Sequence, residues 1–395
     1  MTRKLYDQDS HLQEFDAEVV ACAPTEGQYL IELDRTAFFP EGGGQRADTG
    51  FIGGTRVLDA QLCGDTILHK AESPVEVGKT VRCAIDWQQR FRRMQNHSGE
   101  HIVSGIVHNL FGYENVGFHM GADCMTVDFN GVLSGEDLRK TELLANRTLT
   151  ENRRIDCSYP DSEALQTMTY RSKRAITGNV RIVSIDGVDR CACCAPHVSH
   201  TGEIGLIKFL DAVHFHGGTR LRLLCGLDAY EDCIRKYDSV SAVSAALSVK
   251  PDEIGDAVQK LLADYGEAKR KAAAGEKQVA DWILSSAQRT EGNLCLFAPP
   301  LGAVALRELA NGGTALCGAI CGVFSAGADG GYTYIISSHS VNLQAEIKRI
   351  NAALQGRGGG RPEMIQGTAK ASETVIRAFF DDFIPRAENP GQESL

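Results

Sequence analysis

Two short groups of residues carry types and spacings suited to chemistry. Asn96-His97-Ser98-Gly99-Glu100-His101 sets two histidines four residues apart in a stretch with helical patterning. On a helix their imidazoles share one face, a turn apart, and both can reach one metal ion. Cys193-Cys194-Ala195-Pro196-His197 offers a thiolate and a third imidazole at the same spacing, in a turn beside proline. Three histidines and one thiolate form a borderline-soft donor set that suits zinc. On the residues alone two readings stay open: a closed structural site, or a site that opens a position for water or substrate. Glu100 adjoins the second histidine, whereas a zincin carries its glutamate directly after the first, so a metalloprotease lacks its main support. No aspartate and histidine cluster of a two-metal phosphoesterase is evident either.

The elements that must position these groups follow from periodicity. Residues 18–86 alternate short apolar runs with glycine-bearing turns, as in Tyr29-Leu30-Ile31-Glu32-Leu33, which predicts strands of a small β-barrel. Helical patterning runs from Trp87 to about Leu110, strand signals return over 114–129, and 136–152 reads as a helix, acidic early and basic late. Alternation over 181–224 predicts a further antiparallel sheet. Pro251-Asp252-Glu253 opens a long helix or helical hairpin to about residue 288, with Ile254, Val258, Leu261, Leu262 and Tyr265 at helical spacing. A last α/β unit is expected with strands near 294–297, 315–324 and 332–337 and helices near 342–354 and 368–379. The expected class is α+β multidomain. Residues 1–88 form a β-barrel, 89–240 an α+β zinc domain, 241–292 a helical spacer or dimer element, and 293–395 a C-terminal α/β domain; the tail from Asn389 is expected to fray.

The chain has 395 residues, 43% hydrophobic and 23% charged, a normal globular balance. No apolar run is long enough to cross a bilayer, and the polar start Met1-Thr2-Arg3-Lys4 does not read as a signal peptide. The 13 cysteines are odd in number and scattered, which fits a reduced compartment, so a cytoplasmic protein is expected. A net charge of −10 argues against nucleic-acid binding by the chain as a whole, though not by a local face. Three basic groups bear on that question: Arg82, Arg90, Arg92 and Arg93; Arg171, Lys173, Arg174 and Arg181; and Lys348, Arg349, Arg357 and Arg361. Each taken singly is more simply a set of solvated surface charges.

The ordered motifs carry a family resemblance. His97-x-x-x-His101 with Cys193-x-x-x-His197 and Thr201-Gly202-Glu203-Ile204-Gly205 resembles the editing domain of alanyl-tRNA synthetase and the free-standing AlaX proteins. Phe39-Pro40-Glu41-Gly42-Gly43-Gly44-Gln45, with Asp48 and Gly50, looks like that family's glycine-rich barrel motif. Gly358-Gly359-Gly360-Arg361-Pro362 with Gln366-Gly367 resembles the C-terminal domain shared with DHH-type phosphoesterases. The likeness spans nearly the whole chain in one order, and the long form of AlaX is the best match. Where the family has Cys-Gly-Gly-Thr-His, this chain has Cys193-Cys194-Ala195-Pro196-His197, which makes Cys191 and Cys194 rival ligands and bears on substrate choice. No aminoacylation domain fits before the barrel, so a complete synthetase is not expected.

The resemblance implies a zinc-dependent deacylase acting in trans on alanine tRNA mischarged with serine, and on the glycine ester as a further substrate, with His97, His101, Cys193 and His197 holding zinc at the reaction centre. A pocket for alanine rejects a slightly different amino acid weakly, so a hydrolytic second sieve is useful. Asn115, Gly117 and Phe118 fall where the family's substrate-side strand lies. Gly42, Gly43 and Gly44 would let backbone approach the amino acid or the tRNA end, or else form a tight barrel turn. Gly358-Gly359-Gly360 with Arg361 reads as a backbone nest for tRNA phosphate, or else as a flexible connector. The alanine-rich helix makes a homodimer plausible, and no membrane partner is expected. Three other classes stay in view: a non-catalytic tRNA-binding protein with structural zinc, another zinc hydrolase acting on nucleotide esters, and an editing protein for a different aminoacyl-tRNA.

Overall fold

The structure, a computed structural model, describes residues 1–172, 180–327 and 330–385, and divides into two compact units, Met1–Ala242 and Val243–Leu395. Lys173, Arg174 and the tail from Asn389 lie outside the described residues.

In the first unit a two-residue parallel pair joins β1 (Arg3–Lys4) to β4 (Arg35–Thr36). Six longer strands, β2 (Glu14–Thr25), β3 (Gln28–Leu33), β5 (Gly50–Ile52), β6 (Thr55–Cys63), β7 (Thr66–Ala71) and β8 (Thr80–Ile85), close into a barrel in the order β2-β3-β7-β6-β5-β8. Period-two alternation fills it: Phe15, Ala17 and Val19 of β2 and Ile67, His69 and Ala71 of β7 point inward and are buried.

Helix α1 (Trp87–Phe111) follows directly and ends at Gly112, whose φ of 70° suits a glycine C-cap. It is buried from Met94 to Val107, unusual for a helix of mean polarity, because sheets lie against it on two sides. Two glycines make that approach close. A Cβ at Gly99 would collide with Cys225, and one at Gly105 with the Val188 carbonyl. Strands β9 (Asn115–Met120) and β10 (Met125–Phe129), helix α2 (Gly135–Thr150), strand β11 (Ile155–Ser158) and the short α3 (Ser162–Thr167) come next. Strands β12 (Ile182–Ile185), β13 (Asp189–Ala192), β14 (Ile207–Phe215) and β15 (Gly218–Cys225) complete two sheets, β14-β15-β10-β9 and β11-β12-β13. The alternation expected as one sheet over 181–224 is therefore split between two. Helix α4 (Gly226–Leu247) runs through residue 240, and the boundary read there from sequence falls within this helix, two residues before the division between the units.

In the second unit α5 (Ile254–Ser286) is one continuous helix rather than a hairpin. Strand β16 (Leu294–Ala298), α6 (Ala303–Thr314), β17 (Cys321–Ala326), β18 (Tyr332–Ser337), α7 (Leu343–Ala353), β19 (Arg357–Arg361), β20 (Met364–Ala369) and α8 (Glu373–Asp382) follow. The sheet order is β16-β17-β18-β20-β19, with β16 and β17 parallel and the rest antiparallel. Its two faces bear separate cores, one around Leu306, Leu309 and Ile283, the other around Ile350, Ile376 and Phe380. Helix α6 lies between the expected elements. The strand expected from 315 starts at Cys321, and the helix expected from 368 starts at Glu373 because 364–369 is strand. Gly358-Gly359-Gly360 is neither nest nor connector. It is edge strand β19, with no positive φ of the kind a nest requires. Crowding sets two of the glycines: a Cβ at Gly358 would meet the Tyr334 hydroxyl and one at Gly360 the Met364 carbonyl, whereas Gly359 has room.

Candidate metal centre

Helix α1 presents His97 and His101 on one face, and the loop after β13 brings Cys193 and His197 over them. One ligand atom from each of the four lies within 4.8 Å of every other. The Cys193 Sγ sits 3.5 Å from Nε2 of His97 and 3.5 Å from Nε2 of His197. Zinc bonded tetrahedrally to sulfur and nitrogen at ordinary lengths spaces those atoms about 3.6 Å apart. The donor set and its spacing therefore fit a zinc ion.

The far nitrogen of each ring is tied. His97 Nδ1 faces Gln45 Oε1 at 3.0 Å, His101 Nδ1 faces Asp189 Oδ2 at 2.9 Å, and His197 Nδ1 faces Ser98 Oγ at 3.0 Å. With each Nδ1–H donated outward, three Nε2 lone pairs remain for a metal, and the rings cannot swing away. The charges follow. Burial opposes a Cys193 thiolate, but the three imidazoles outweigh it and pull the thiol well below its usual range. Burial likewise opposes charge on His101, yet the bonds to Asp189 and Cys193 raise its pKa well above that of a free imidazole. Burial prevails at His197, which falls to about 3. Asp189 is itself held below the usual carboxylate range: burial is overcome by His101 and by Arg171, which grips it at 2.7 and 2.9 Å.

The barrel closes one side. Gly42 and Gln45 exchange backbone hydrogen bonds across Gly43 and Gly44, whose φ values are 61° and 83°. This is a tight hairpin of the kind that needs positive φ at both central residues. It also approaches closely, since a Cβ at Gly44 would lie 2.7 Å from the Phe118 ring. Phe118 in turn lies 4.9 Å from the His97 ring, centroid to centroid. Asn115 is buried beneath: its amide donates to Glu100 and Ser104 and its carbonyl accepts from Gly117 N–H, so its polar atoms are spent inside the protein. Gly117 is bare because a Cβ would fall 2.7 Å from Asp128 on β10.

Most residues singled out from sequence thus meet here: His97, His101, Cys193, His197, Gly42, Gly43, Gly44, Asn115, Gly117 and Phe118. Arg361 belongs to the second unit, exposed at the end of β19. Of the rival thiols, Cys191 is buried and groups with His101 and Asp189, while Cys194 is exposed beside Gly43; neither is among the four grouped atoms. Sequence reasoning missed Asp189, and it missed the roles of Ser98, Arg171 and Gln45, which the quoted motifs and basic groups already contained. Glu100 is buried with Ser104 and Asn115. The first basic group is not an open face. Arg90 is buried against Asp48, Arg92 is held by Asp228 and Glu231, and Arg82 pairs with Glu14.

Comparison with known proteins agrees with this layout. Residues 180–242 match the model of the Threonyl and Alanyl tRNA synthetase second additional domain, and 8–89 match that of tRNA synthetases class II (A). The chain is 29% identical to the Alanine--tRNA ligase of Ignicoccus hospitalis over 95% of its length, spanning 42% of that ligase. It is 31% identical to the Alanyl-tRNA editing protein Aarsd1-A of Xenopus laevis over 64% of its length, spanning 66% of that protein. The C-Ala domain of Aquifex aeolicus alanyl-tRNA synthetase aligns with 24% of this chain and 94% of its own, at 19% identity and a TM-score of 0.21, too loosely to argue from. Its editing-protein and ligase relatives and the matched domain models show that the chain belongs to the AlaX-like alanyl-tRNA editing family.

Proposed function

We propose that this chain is a zinc-dependent aminoacyl-tRNA deacylase that clears serine, and with it glycine, from mischarged alanine tRNA. The observation that carries the reading is the group His97, His101, Cys193 and His197, one ligand atom of each within 4.8 Å of the others, beside a glycine hairpin in a chain related to alanyl-tRNA editing proteins. Zinc held there would supply a Lewis acid and an anchor for a substrate oxygen or amine. The chain's own residues supply orientation. Gln45, Asp189 and Ser98 fix the three rings, and the positive-φ hairpin at Gly43 and Gly44 leaves room for backbone to come close to the aminoacyl group. Gln45 Nε2, buried and without a partner among the described residues, is a donor available to a polar substrate atom. A serine hydroxyl could satisfy such a buried group and alanine could not, which is the direction of selectivity editing needs. Thirteen free thiols support a cytoplasmic setting for this work.

The test is deacylation of serine-, glycine- and alanine-charged alanine tRNA, before and after chelation. Loss of serine with alanine spared, abolished by chelator and restored by zinc, is the expected result. A second reading has one observation in its favour: four protein donors, the number a structural zinc site takes, are gathered in one place. Zinc present with no turnover of any ester would select that tRNA-binding reading.

We also propose a homodimer through α5. Leu261, Tyr265, Ala268 and Ala272 follow alternating spacings of four and three, and all four are exposed. An antiparallel second copy sets Leu261 against the partner's Ala272 and Tyr265 against the partner's Ala268, large against small, and brings Asp264 beside the partner's Lys271. Sedimentation should show a dimer that Tyr265→Glu splits; a wild-type monomer would overturn the proposal.

A further inference from the structure

The metal loop begins where β13 ends, so its backbone polar groups need partners outside a ladder. The pairing of β12 with β13 runs from Ile185 opposite Asp189 to Ile182 opposite Ala192, which sets Arg181 opposite Cys193 one step further on. The Arg181 carbonyl accepts the Cys193 N–H at 3.0 Å. Its guanidinium lies along the loop, where Nη1 donates to the Cys193 carbonyl at 3.0 Å and to the Ala195 carbonyl at 2.8 Å. That nitrogen carries a hydrogen for each oxygen. One residue thus holds both backbone polar groups of the thiolate ligand.

The N-terminal segment completes the grip. Ser10 Oγ donates to the His197 carbonyl at 2.7 Å, so the carbonyls of Cys193, Ala195 and His197 are each met by a side chain from outside the loop. Asp7 Oδ1 lies 3.5 Å from Arg181 Nε, and the other Asp7 oxygen accepts from the Tyr159 hydroxyl at 2.9 Å. Arg181 stands in the second basic group of the sequence, yet its side chain is 5% exposed and turned inward, closed to a phosphate arriving from solution.

The two kinds of donor at this centre must be aimed differently. Each imidazole has a far nitrogen, and Gln45, Asp189 and Ser98 tie those nitrogens. A thiolate has no second atom to tie. Only χ1 separates Sγ from the backbone, so the sulfur is aimed by fixing the main chain on either side of it and selecting one staggered position. We infer that Arg181 is the positioning residue for Cys193 Sγ, doing through main-chain bonds what Asp189 does for His101 through a ring nitrogen. Asp7 in turn orients the guanidinium. The role deepens the zinc-deacylase reading and rests on it for the metal.

The test uses the full chain with cobalt(II) in place of zinc, because a cobalt–thiolate bond gives a near-ultraviolet charge-transfer band that reports on the sulfur itself. Arg181→Met keeps an apolar stem and removes every side-chain donor. Its charge-transfer band should shift or weaken, and zinc competition should show an affinity roughly tenfold or more below wild type. Arg181→Lys keeps the charge without the planar fork and should fall between the two; it carries the test alone if Arg181→Met does not fold. At saturating zinc, kcat for the mischarged tRNA should drop roughly tenfold in Arg181→Met with KM within about twofold. A wild-type band with wild-type affinity in either folded variant overturns the role, even if the metal-free chain melts earlier. A raised KM with an unmoved band overturns it too, and makes Arg181 a tRNA contact instead. A displaced band in Arg181→Met, where the wild-type chain binds zinc and deacylates nothing, keeps the positioning role and removes the deacylase reading.

Discussion

Replacing Asp189 with asparagine tests the reasoning about the centre most sharply, because it changes one atom and no ligand. Asp189 takes three charge-assisted donors: His101 Nδ1 at 2.9 Å, Arg171 Nε at 2.7 Å and Arg171 Nη2 at 2.9 Å. It is 2% exposed at the side chain, so water cannot stand in for a lost bond. Asparagine has one acceptor oxygen and sets an N–H₂ group against at least one of those donors. Whichever bond breaks, the His101 ring loses orientation, negative charge behind it, or both. Losing such a partner weakens metal binding about 10- to 100-fold, or about 1.4–2.7 kcal/mol. The assay is zinc competition against a chromophoric chelator, with thermal unfolding in free zinc and in chelator beside it. At fixed free zinc the extra stabilisation by metal should shrink by the same about 1.4–2.7 kcal/mol, since it depends on the ratio of free metal to Kd. A merely structural role would lower the metal-free stability and leave the zinc affinity alone. Wild-type affinity in Asp189→Asn, with affinity lost in His101→Ala, would refute the claim that Asp189 orients the ligand.

The remaining predictions concern the barrel and its junction with α1. Arg90→Leu leaves buried Asp48 with only the Phe39 N–H and Arg93 at 3.5 Å, and should cost about 3–5 kcal/mol by urea unfolding, with much of it recovered when Asp48→Leu is added; a shift under about 1 kcal/mol would show the pair to be dispensable. Gly44→Ala forces a φ of 83° on alanine and drives its Cβ to 2.9 Å from the Phe118 carbonyl. It should destabilise by about 1–3 kcal/mol and reduce deacylation while zinc stays bound, and full activity would mean the hairpin does not approach the substrate. Burial pushes His69 from 6.5 down to about 4, with the Ile31 carbonyl bond opposing it. The folded chain therefore binds this proton later than the unfolded chain. Its contribution to stability is intact above pH 6.5 and declines by about 1.4 kcal/mol per unit as pH falls toward 4, to a loss of about 3 kcal/mol. Denaturant midpoints of His69→Gln across that window should fall less steeply than wild type, and parallel curves would contradict the assignment.

What could be read from sequence at the centre was whatever lay within one turn of one element. His97 and His101 share a face because helices repeat every 3.6 residues, and Cys193 and His197 are close along a single loop. The groups that hold these rings have no such signal: Gln45, Asp189 and Ser98 stand 52, 88 and 99 residues from their histidines, and only the fold brings them together. Charge misled for the same reason. Arg90 and Arg92 look like part of a basic run, yet their acidic partners Asp48, Asp228 and Glu231 come from 42, 136 and 139 residues away. Gly358, Gly359 and Gly360 suit both a phosphate nest and a crowded strand. The decision belongs to Tyr334, which fills the space a side chain at Gly358 would need. Helix α6 stayed hidden because Gly312 and Gly313 lower its propensity, although Leu284 and Cys321 close on them so tightly that no larger residue fits.

The same contacts bear on where the functional unit ends. A boundary near residue 88 follows the change from strand to helix patterning, but the bonds that matter cross it. Arg90 of α1 donates to Asp48, to the Ala37 carbonyl and to the Ser10 carbonyl, all from the barrel side. Ala195, in the middle of the metal loop, is fully buried in the barrel's own core, and Cys193 packs against that core as well. The His97 ring takes its orientation from Gln45 on the barrel hairpin. A fragment beginning at residue 89 would keep all four donors and lose the wall behind Ala195, the partner of Arg90 and the hydrogen bond that aims His97. Offering four donors and aiming them are thus separable. The first needs one helix and one loop, and the second needs the barrel and the sheets built around them.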